Sequence, residues 1–429
     1  MERYSEYKDS GVEWIGKIPN SWALQRINNV FTERTEKVSD LDYEPLSVTK
    51  NGIFPQLENV AKSDNHDNRK LVKNGDFVIN SRSDRRGSSG MSNLDGSVSL
   101  INIVITPKKN IKPKYSELIF KSYEFINEYY RNGRGIVADL WSTRYALMKN
   151  ISICIPPLKE QEQIVAYLDD KTAKIDDLLA KTKKKIELLK EKRTSLINHC
   201  ITKGLKPSAS MKDSGVEWIE DIPSEWNRSR LDFLFRLYGR LGWKSLKSDE
   251  YVEEGYVFLS TPNIKGNKID YKNANYITKE RYNESPEIML ENGDVLLVKD
   301  GSTLGIVNLV RNLLRPSTVN SSIGVLKKRS NKISPNFMYY HLSSYYHQNI
   351  INRIKGGMGV PHLFQSDIKK FIVILPSLKD QQGIVEYLDE QTSKIDSTIS
   401  KVEKRIVLLK EYRQSLISNV VTGKIKVCN

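Results

Sequence analysis

The chain carries two copies of one framework. Residues 8–22 read KDSGVEWIGKIPNSW, and residues 212–226 read KDSGVEWIEDIPSEW. A second pair of segments follows, with IPPLKEQEQIVAYL at 155–168 and LPSLKDQQGIVEYL at 375–388. Matching segments that recur in the same order indicate that one structural unit has been duplicated. Any fold for this chain must therefore use one plan twice.

The residues between the repeated segments have diverged. The two copies are 204 residues apart at the first segment and 220 apart at the second, so the intervening region is 16 residues longer in the second half. Only fragments match there, such as Asn-Gly-Asp at 74–76 and 292–294, each of which precedes an apolar, strand-like run. A shared framework with divergent inserts predicts pseudo-twofold symmetry and two different recognition surfaces.

The second repeated segment opens a helix in each half. Its apolar rows recur every seven residues between charged flanks, which is the pattern of a coiled-coil seam. These rows are Leu168, Ile175, Thr182, Leu189 and Leu196 in the first half, and Leu388, Ile395, Val402, Leu409 and Leu416 in the second. Gly204 and Gly423 lie where each helix should end. We predict helices of about 35–40 residues, or roughly 50–60 Å, that pack antiparallel because a pseudo-twofold relates them.

The charge of the chain favours a polyanionic partner. The formal net charge is +15 and the isoelectric point is about 9.3, and lysine or arginine near phosphates releases condensed counterions. A merely basic protein is the alternative. Cys154, Cys200 and Cys428 show no zinc-ligand or disulfide spacing, so we expect reduced thiols. No apolar run approaches the ~20 residues that span a bilayer, and no signal peptide is visible, so we expect a soluble cytoplasmic protein.

The first insert contains two groups of candidate DNA-binding residues. One group lies in the loop SRSDRRGSSG at 81–90, and the other lies near the end of the insert. Together they comprise Arg82, Arg85, Arg86, Ser88, Arg131, Arg134, Trp141, Thr143 and Arg144. Arginine forks hydrogen-bond guanine O6 and N7 in the major groove, and serine can bind phosphate oxygens. Surface ion pairs are the alternative for each arginine.

The second insert contains a different set of candidates. Some follow an apolar strand-like run, and others lie in the loop KGGMGVPH at 355–362. The set comprises Arg240, Trp243, Lys244, Lys247, Lys299, Ser302, Thr303, Lys355 and His362. The Gly-Gly-Met-Gly run lacks the context of a phosphate-binding fingerprint. A structural role is the alternative for His362.

These features together resemble the specificity (S) subunit of a Type I restriction–modification enzyme. The resemblance rests on the duplicated Ser-Gly-Val-Glu-Trp-Ile segment and on IPPLKEQ at 155–161, with its counterpart in the second half. GMGVPHL at 357–363, followed by FIVILP at 371–376, is similar to the family's usual end of a target-recognition domain. The first copy departs from that ending with GRGIVADLW at 133–141, so individual base contacts do not carry over.

The resemblance implies a division of labour among subunits. Each target-recognition domain would read one half of a bipartite, asymmetric site in double-stranded DNA. Two modification subunits, which bind S-adenosylmethionine and methylate adenine, would dock on this chain. Restriction subunits would add ATP-dependent translocation and cleavage, with magnesium. This chain itself is expected to bind no cofactor and no metal.

The predicted fold class is α+β, with two mixed α/β target-recognition domains joined by two long antiparallel helices in a coiled coil. The whole is an internal pseudo-twofold duplication. The predicted boundaries are 1–157 for the first target-recognition domain with its repeated segment 8–22, 158–203 for the first helix, 204–211 for a linker, 212–377 for the second domain with its repeated segment 212–226, 378–422 for the second helix and 423–429 for a tail.

The sequence predicts that the chain is not an enzyme. It contains no Asn-Pro-Pro-Tyr/Phe or Asp-Pro-Pro-Tyr motif for amino-methylation, and Ile155-Pro156-Pro157-Leu158 lacks both the leading acid or amide and the aromatic. No Walker A sequence is present, and the five histidines are scattered. Two alternatives stay open. One is a fused methyltransferase or nuclease with unfamiliar motifs, and the other is a duplicated coiled-coil assembly protein that does not read DNA.

Overall fold

The repeated segments and the helix halves assemble into two units. The computed structural model describes residues 2–56, 66–135, 141–240, 246–266, 268–354 and 361–427. Unit 1 consists of Met1–Lys183 with Glu403–Asn429, and unit 2 consists of Lys184–Val402. Each long helix therefore gives its first part to one unit and its last part to the other.

The described strands of unit 1 are short and mostly antiparallel. They are β1 (Tyr7–Asp9), β2 (Lys17–Pro19), β3 (Ala23–Arg26), β4 (Phe31–Glu33), β5 (Lys37–Val38), β6 (Leu46–Thr49), β7 (Gly52–Pro55), β8 (Arg69–Val72), β9 (Phe77–Asn80), β10 (Ser89–Met91), β11 (Gly96–Ser99), β12 (Asn102–Pro107) and β13 (Ser152–Ile155). The order β10-β9-β12-β4 forms a four-stranded sheet, and β11-β8-β5 forms a three-stranded one.

Most helices of unit 1 follow the main sheet in the sequence. They are α1 (Ile27–Val30), α2 (Pro113–Phe120), α3 (Tyr123–Arg131), α4 (Tyr145–Met148) and the first half of α5 (Leu158–Lys203). Pro113 lies in the first turn of α2, where its missing N–H costs nothing. Ser122 caps α3 by accepting the N–H of Phe125.

The main sheet of unit 1 is covered on both faces. Phe77 and Ile79 of β9 belong to the core that contains the helices, whereas Val78 between them packs in a smaller cluster with Val72 of the three-stranded sheet. Neighbouring residues of a strand point to opposite faces. The sheet is therefore buried on both sides, which explains why the run reads as continuously apolar rather than alternating.

Unit 2 repeats this plan with its own strands. They are β14 (Met211–Asp213), β15 (Asp221–Pro223), β16 (Asn227–Arg230), β17 (Phe235–Tyr238), β18 (Tyr256–Leu259), β19 (Ile264–Lys265), β20 (Lys268–Ile269), β21 (Asn275–Ile277), β22 (Val295–Val298), β23 (Val307–Leu309), β24 (Ser317–Val319), β25 (Ile323–Lys328) and β26 (Ile372–Leu375). The four-stranded sheet has the order β17-β25-β22-β23, and β21-β18-β24 is three-stranded.

Most helices of unit 2 have a counterpart at the same place in the sequence of unit 1. They are α6 (Leu231–Leu234), α7 (Lys279–Asn283), α8 (Pro335–Ser343), α9 (Tyr345–Ile354), α10 (Gln365–Ile368) and the first half of α11 (Leu378–Val421), to which the end of α5 is added. The strand before each long helix pairs with the strand after the repeated Trp, since β13 pairs with β3 and β26 with β16.

The long helices run antiparallel within each unit. In unit 1, Arg413 of α11 pairs with Asp176 of α5, with nitrogen–oxygen distances of 2.9 and 3.1 Å. In unit 2, Arg193 of α5 lies 3.0 Å from Asp396 of α11. The start of one helix thus meets the end of the other. The predicted fold class is confirmed. α5 has 46 residues and α11 has 44. These lengths exceed the expected 35–40 residues and correspond closely to the segments 158–203 and 378–422 that the sequence assigned to the two helices.

The predicted helix ends are found at the two glycines. Gly204 has φ +76° directly after α5, and Gly423 has φ +73° two residues after α11. Glycine adopts this left-handed conformation without a Cβ penalty. Each glycine lies against the second tryptophan of a repeated segment, Trp226 for Gly204 and Trp22 for Gly423. The repeated segments therefore pack against the ends of the two long helices.

The Asn-Gly-Asp fragments that recur in the two halves form turns directly before the central strands β9 and β22. Gly75 and Gly293 have φ +89° and +99°. Asp76 accepts the N–H of Lys73 at 2.8 Å, and Asp294 accepts that of Glu291 at 2.8 Å. The matching fragment is thus explained by turn geometry rather than by ligand binding.

Candidate nucleic-acid interface

The loop after β9 in unit 1 is held by the segment around Ser142. The N–H of Ser83 donates to the carbonyl of Trp141 at 3.0 Å, and the N–H of Thr143 donates to the carbonyl of Ser81 at 2.9 Å. On its other side, Ser142 exchanges two backbone hydrogen bonds of 3.0 Å with Arg134. Three segments that are distant in the sequence therefore lie side by side.

This arrangement gathers three of the predicted arginines. Arg82 and Arg134 both form isolated bridges with Ser142, and Arg144 follows two residues later. All three side chains are exposed. Among the residues that the structure describes, no carboxylate lies within ion-pair distance of any of them. They are therefore available to an external anion or base edge.

A cleft opens beside two of these arginines. Its volume is about 520 Å³, and Arg82 and Arg144 lie on its wall together with Lys70 and Glu33. Lys70 is not free, because it lies 3.6 Å from Glu33 and donates to the carbonyl of Asn102 at 3.0 Å. The cleft thus presents two guanidinium groups, those of Arg82 and Arg144. They lie next to Lys70 and Glu33, whose charges neutralise each other.

The other predicted arginines of unit 1 have partners within the unit. Arg85 lies 3.6 Å from Asp84, and Arg86 donates to the side chain of Asn127. Arg131 lies 3.0 Å from both Glu13 and Glu128, and the hydrogen bond that Arg131 donates to Glu13 raises the pKa of Arg131. For Arg131 the structure shows the surface ion pair that was the alternative to DNA contact.

Three of the predicted residues are buried in unit 1 or hydrogen-bonded to its backbone. Thr143 is fully buried and donates its hydroxyl to the carbonyl of Tyr129 at 2.8 Å. Ser88 is also buried. Trp141 donates its indole N–H to the carbonyl of Tyr130 at 2.9 Å. In this conformation the side chains of Ser88 and Thr143 do not face solvent, and their contribution to an interface is the position of the backbone.

Unit 2 contains the same loop arrangement with different side chains. The N–H of Gly301 donates to the carbonyl of Pro361 at 3.2 Å, and the N–H of Leu363 donates to that of Lys299 at 2.8 Å. Asp300 and His362 form the isolated bridge that Arg82 and Ser142 form in unit 1. Sequence comparison missed this equivalence because the two loops share no residues, and the only available signal was their common place after the central strand.

The side chains at this loop of unit 2 are mutually paired. His362 hydrogen-bonds Asp300 through Nδ1, and Lys299 Nζ lies 3.4 Å from the other carboxylate oxygen. Lys299 is buried, whereas Ser302 is exposed and Thr303 is half-buried. The predicted Lys299, Ser302, Thr303 and His362 are therefore together in space, with Asp300 as a partner that sequence reasoning did not single out.

Of the remaining candidates of unit 2, the structure describes Arg240 and Lys247. Arg240 is buried, and burial lowers its pKa. Its guanidinium carbon lies 5.8 Å from the ring centre of Phe258. Lys247 is exposed before a short 3₁₀ turn. Trp243, Lys244 and Lys355 lie outside the described residues.

The described thiols and helices add little to the site. Burial raises the pKa of the Cys154 thiol to about 12 and that of Cys200 to about 11, while Cys428 lies outside the described residues. In the ranges that the structure covers, no three His, Cys, Asp or Glu side chains are grouped as metal ligands. Likewise, none of the described helices is both long and apolar enough to traverse a bilayer.

The fold matches that of proteins from DNA restriction and modification. A solved chain from a study titled "Structural basis underlying complex assembly and conformational transition of the type I R-M system" superposes with a TM-score of 0.73. It is 16% identical, and the match covers 95% of this chain and 99% of that one. At this identity the likeness establishes the fold.

The family follows from the sequence comparison. The model of the Type I restriction modification DNA specificity domain matches residues 19–188 and 223–406, and the chain belongs to this family. The resemblance inferred from the repeats is thereby confirmed.

Two curated relatives come from Methanocaldococcus jannaschii. The Type I restriction enzyme MjaVIII specificity subunit is 26% identical over 286 residues, which is 66% of this chain and 64% of the relative. The putative type I restriction enzyme MjaX specificity subunit is 23% identical over 440 residues, or 96% of each chain.

Proposed function

We propose that this chain recognises a bipartite, asymmetric DNA sequence on behalf of a Type I restriction–modification complex and catalyses no step itself. Each unit would read one half of the site. The observation that carries this proposal is the loop pair, since one backbone arrangement presents Arg82 and Arg144 in unit 1 but Asp300 and His362 in unit 2. A common frame with different side chains is what two readers of different sequences require.

The charges support DNA as the ligand. The net charge of +15 favours a polyanion. Arg82, Arg134 and Arg144 are exposed and lie on neighbouring backbone segments in unit 1. Guanidinium groups that are not committed to carboxylates can bind phosphates or guanine edges.

The long helices would set the distance between half-sites. Each helix passes from one unit into the other without a break, between Lys183 and Lys184 in α5 and between Val402 and Glu403 in α11. At a rise of ~1.5 Å per residue, helices of this length span roughly 65–70 Å. A continuous helix transmits length without a hinge, so we propose that it acts as the spacer.

Equivalent surfaces at the start of the two long helices would bind two modification subunits. Leu158 and Leu378 open the two long helices at equivalent positions and are exposed, with 42% and 54% of their surface accessible. Apolar residues exposed at the same place in both units suit two copies of one partner. S-adenosylmethionine, ATP and magnesium would be bound by the modification and restriction subunits.

Methylome sequencing tests this proposal. Cells that carry this chain with its cognate modification subunit should contain methylated adenine in one bipartite, asymmetric sequence with an unread spacer. A continuous target without a spacer, or methylation without sequence preference, would contradict the proposal. Binding of S-adenosylmethionine by the isolated chain would favour the alternative of a fused methyltransferase.

A further inference from the structure

We propose that Arg82 and Asp300 occupy the same reading position in the two units and present opposite hydrogen-bonding polarity to DNA. Arg82 would donate to guanine in one half-site. Asp300 would accept from the exocyclic amino group of a cytosine or adenine in the other. This inference rests on the proposed function and deepens it, because it names the kind of base that each loop selects.

The equivalence of the two positions follows from backbone hydrogen bonds. In unit 1, the residue before Arg82 donates to the carbonyl of Ile101 and accepts from Thr143. In unit 2, the residue before Asp300 donates to the carbonyl of Ser322 and accepts from Leu363. The residue after each position donates to the carbonyl of Trp141 or Pro361. These three matching bonds place Arg82 and Asp300 on the same spot of the frame.

Arg82 can only donate. Its side chain is exposed beside the cleft of unit 1, and its backbone N–H is bound by the side chain of Asn80 at 3.0 Å. The opposing bridge residue, Ser142, is small and leaves the guanidinium unobstructed. Among major-groove edges, guanine offers two acceptors, O6 and N7, at the spacing of an arginine fork.

Asp300 can only accept, and its orientation is fixed. His362 binds one carboxylate oxygen and Lys299 lies 3.4 Å from the other. Each oxygen has two lone pairs, so both keep capacity for a further donor. The side chain of Asp300 is 23% exposed. The adjacent ammonium of Lys299 also offsets the repulsion that a carboxylate meets near phosphates. Cytosine N4 and adenine N6 are the donors in the major groove.

Opposite polarity at equivalent positions would make the target asymmetric. A donor-only group and an acceptor-only group cannot both match the same base edge at one equivalent position. The two half-sites would therefore differ at this position, whatever the other loop residues read.

The test measures base preference with the complete methyltransferase complex on a DNA library randomised in both half-sites. Arg82→Ala should relax one guanine in one half-site, and Asp300→Ala should relax one cytosine or adenine in the other. The preference at the affected position should fall by roughly 5- to 150-fold. Asp300→Asn keeps the side-chain shape but replaces one acceptor with a donor, so the preference for adenine over cytosine at that position should rise, because asparagine binds both N6 and N7 of adenine.

Two matched variants serve as controls. Arg26→Ala removes an exposed arginine of unit 1, and Asp367→Asn neutralises a partly exposed carboxylate of unit 2 that lies 3.5 Å from Lys370. Neither should change the preference at any position. Should Asp300→Ala prevent assembly of the complex, Asp300→Asn still decides the question.

The proposal is overturned if Asp300→Asn leaves every position unchanged, or if it relaxes a guanine or thymine. It is likewise overturned if Arg82→Ala and Asp300→Ala relax the same half-site. Failure of the proposed function looks different, because the wild-type complex would then show no bipartite target in the same library.

Discussion

The helix pair α2–α3 of unit 1 and the helix pair α8–α9 of unit 2 are built in the same way, but their buried side chains differ. In unit 1, Ser122 donates its hydroxyl to the carbonyl of Ile119 and caps the N–H of Phe125. In unit 2, Ser344 does the same for His341 and His347. An isoleucine and a phenylalanine in one unit thus correspond to two histidines in the other, and all four side chains are buried.

The histidines are held in a defined arrangement. Their Nδ1 atoms lie 3.2 Å apart, and Nε2 of His341 accepts the N–H of Ile374 at 2.8 Å. An imidazole that accepts at one nitrogen and lies in an apolar core is stable only when neutral. The comparison teaches that one backbone plan tolerates an apolar or a polar core at the same place, with different responses to acid.

Acid should therefore destabilise unit 2 more than unit 1. Burial lowers the pKa of His341 well below its usual value and that of His347 to about 3. The unfolded chain binds these protons near pH 6.5, so the stabilisation is complete above that pH and is lost as the pH falls below it. At pH 4.5 we expect a loss of roughly 3 kcal/mol from His347 alone. Hydrogen-exchange protection factors of β22 and α8, compared with β9 and α2, measure it.

Exchanging the residues between units sharpens this comparison. His347→Phe should reduce the acid sensitivity of unit 2, and Phe125→His should create acid sensitivity in unit 1. Each result is read as the difference in protection between pH 7 and pH 4.5, which separates titration from any general loss of packing. Equal acid sensitivity of the two units in the wild-type chain would show that the histidine pair is not the cause.

The two helix-end glycines should also respond unequally to substitution. An alanine Cβ at Gly423 would overlap the ring of Pro19, whereas at Gly204 it would lie 3.0 Å from the indole of Trp226. Both substitutions carry the left-handed penalty of about 1–2 kcal/mol, and overlap with a rigid ring adds about 1–3 kcal/mol. We expect Gly423→Ala to destabilise unit 1 by about 2–5 kcal/mol and Gly204→Ala to destabilise unit 2 by about 1–2 kcal/mol. Denaturant unfolding of each variant gives the values, and equal midpoint shifts would contradict the expected order.

The smallest expected difference concerns the ion pairs between the long helices. The Arg193–Asp396 pair of unit 2 is 22% and 29% exposed, whereas the Arg413–Asp176 pair of unit 1 is 35% and 51% exposed. Exposed pairs contribute at most about 1 kcal/mol, because water screens them. We expect Arg413→Ala to cost less than about 1 kcal/mol and Arg193→Ala about 1–2 kcal/mol. A double-mutant cycle with each aspartate measures both couplings, and a larger coupling in unit 1 would reverse the comparison.

The framework was predictable from the sequence because it is encoded by local patterns. The seven-residue rows identified the seam, and Leu168 and Leu388 are fully buried in it. The glycines marked the helix ends because the left-handed conformation favours that residue. Each long helix begins directly after its Pro156-Pro157 or Pro376-Ser377 pair and ends within two residues of its glycine.

The loops could not be predicted in the same way. Arg131 and Arg134 were equally plausible DNA contacts in the sequence. What distinguishes them is that Arg131 pairs with Glu128 on its own helix and with Glu13, which lies 118 residues away. The bridge between Asp300 and His362 is made by backbone atoms, which leave no trace in residue types. Long-range partners and backbone pairing therefore decided the site, and both are properties of the folded chain.

The sharing of helices between units has a consequence for synthesis. Unit 2 is continuous in the sequence from 184 to 402, whereas unit 1 combines residues up to 183 with residues from 403 onward. Leu416 and Val420 pack in the core of unit 1 with Trp22, and Tyr115 donates its hydroxyl to the carbonyl of Val421. During synthesis, unit 1 therefore cannot complete its core until the last part of α11 has been translated. Unit 2 can complete its core first, although its translation begins later. Unit 1 completes its core only after both units have been translated.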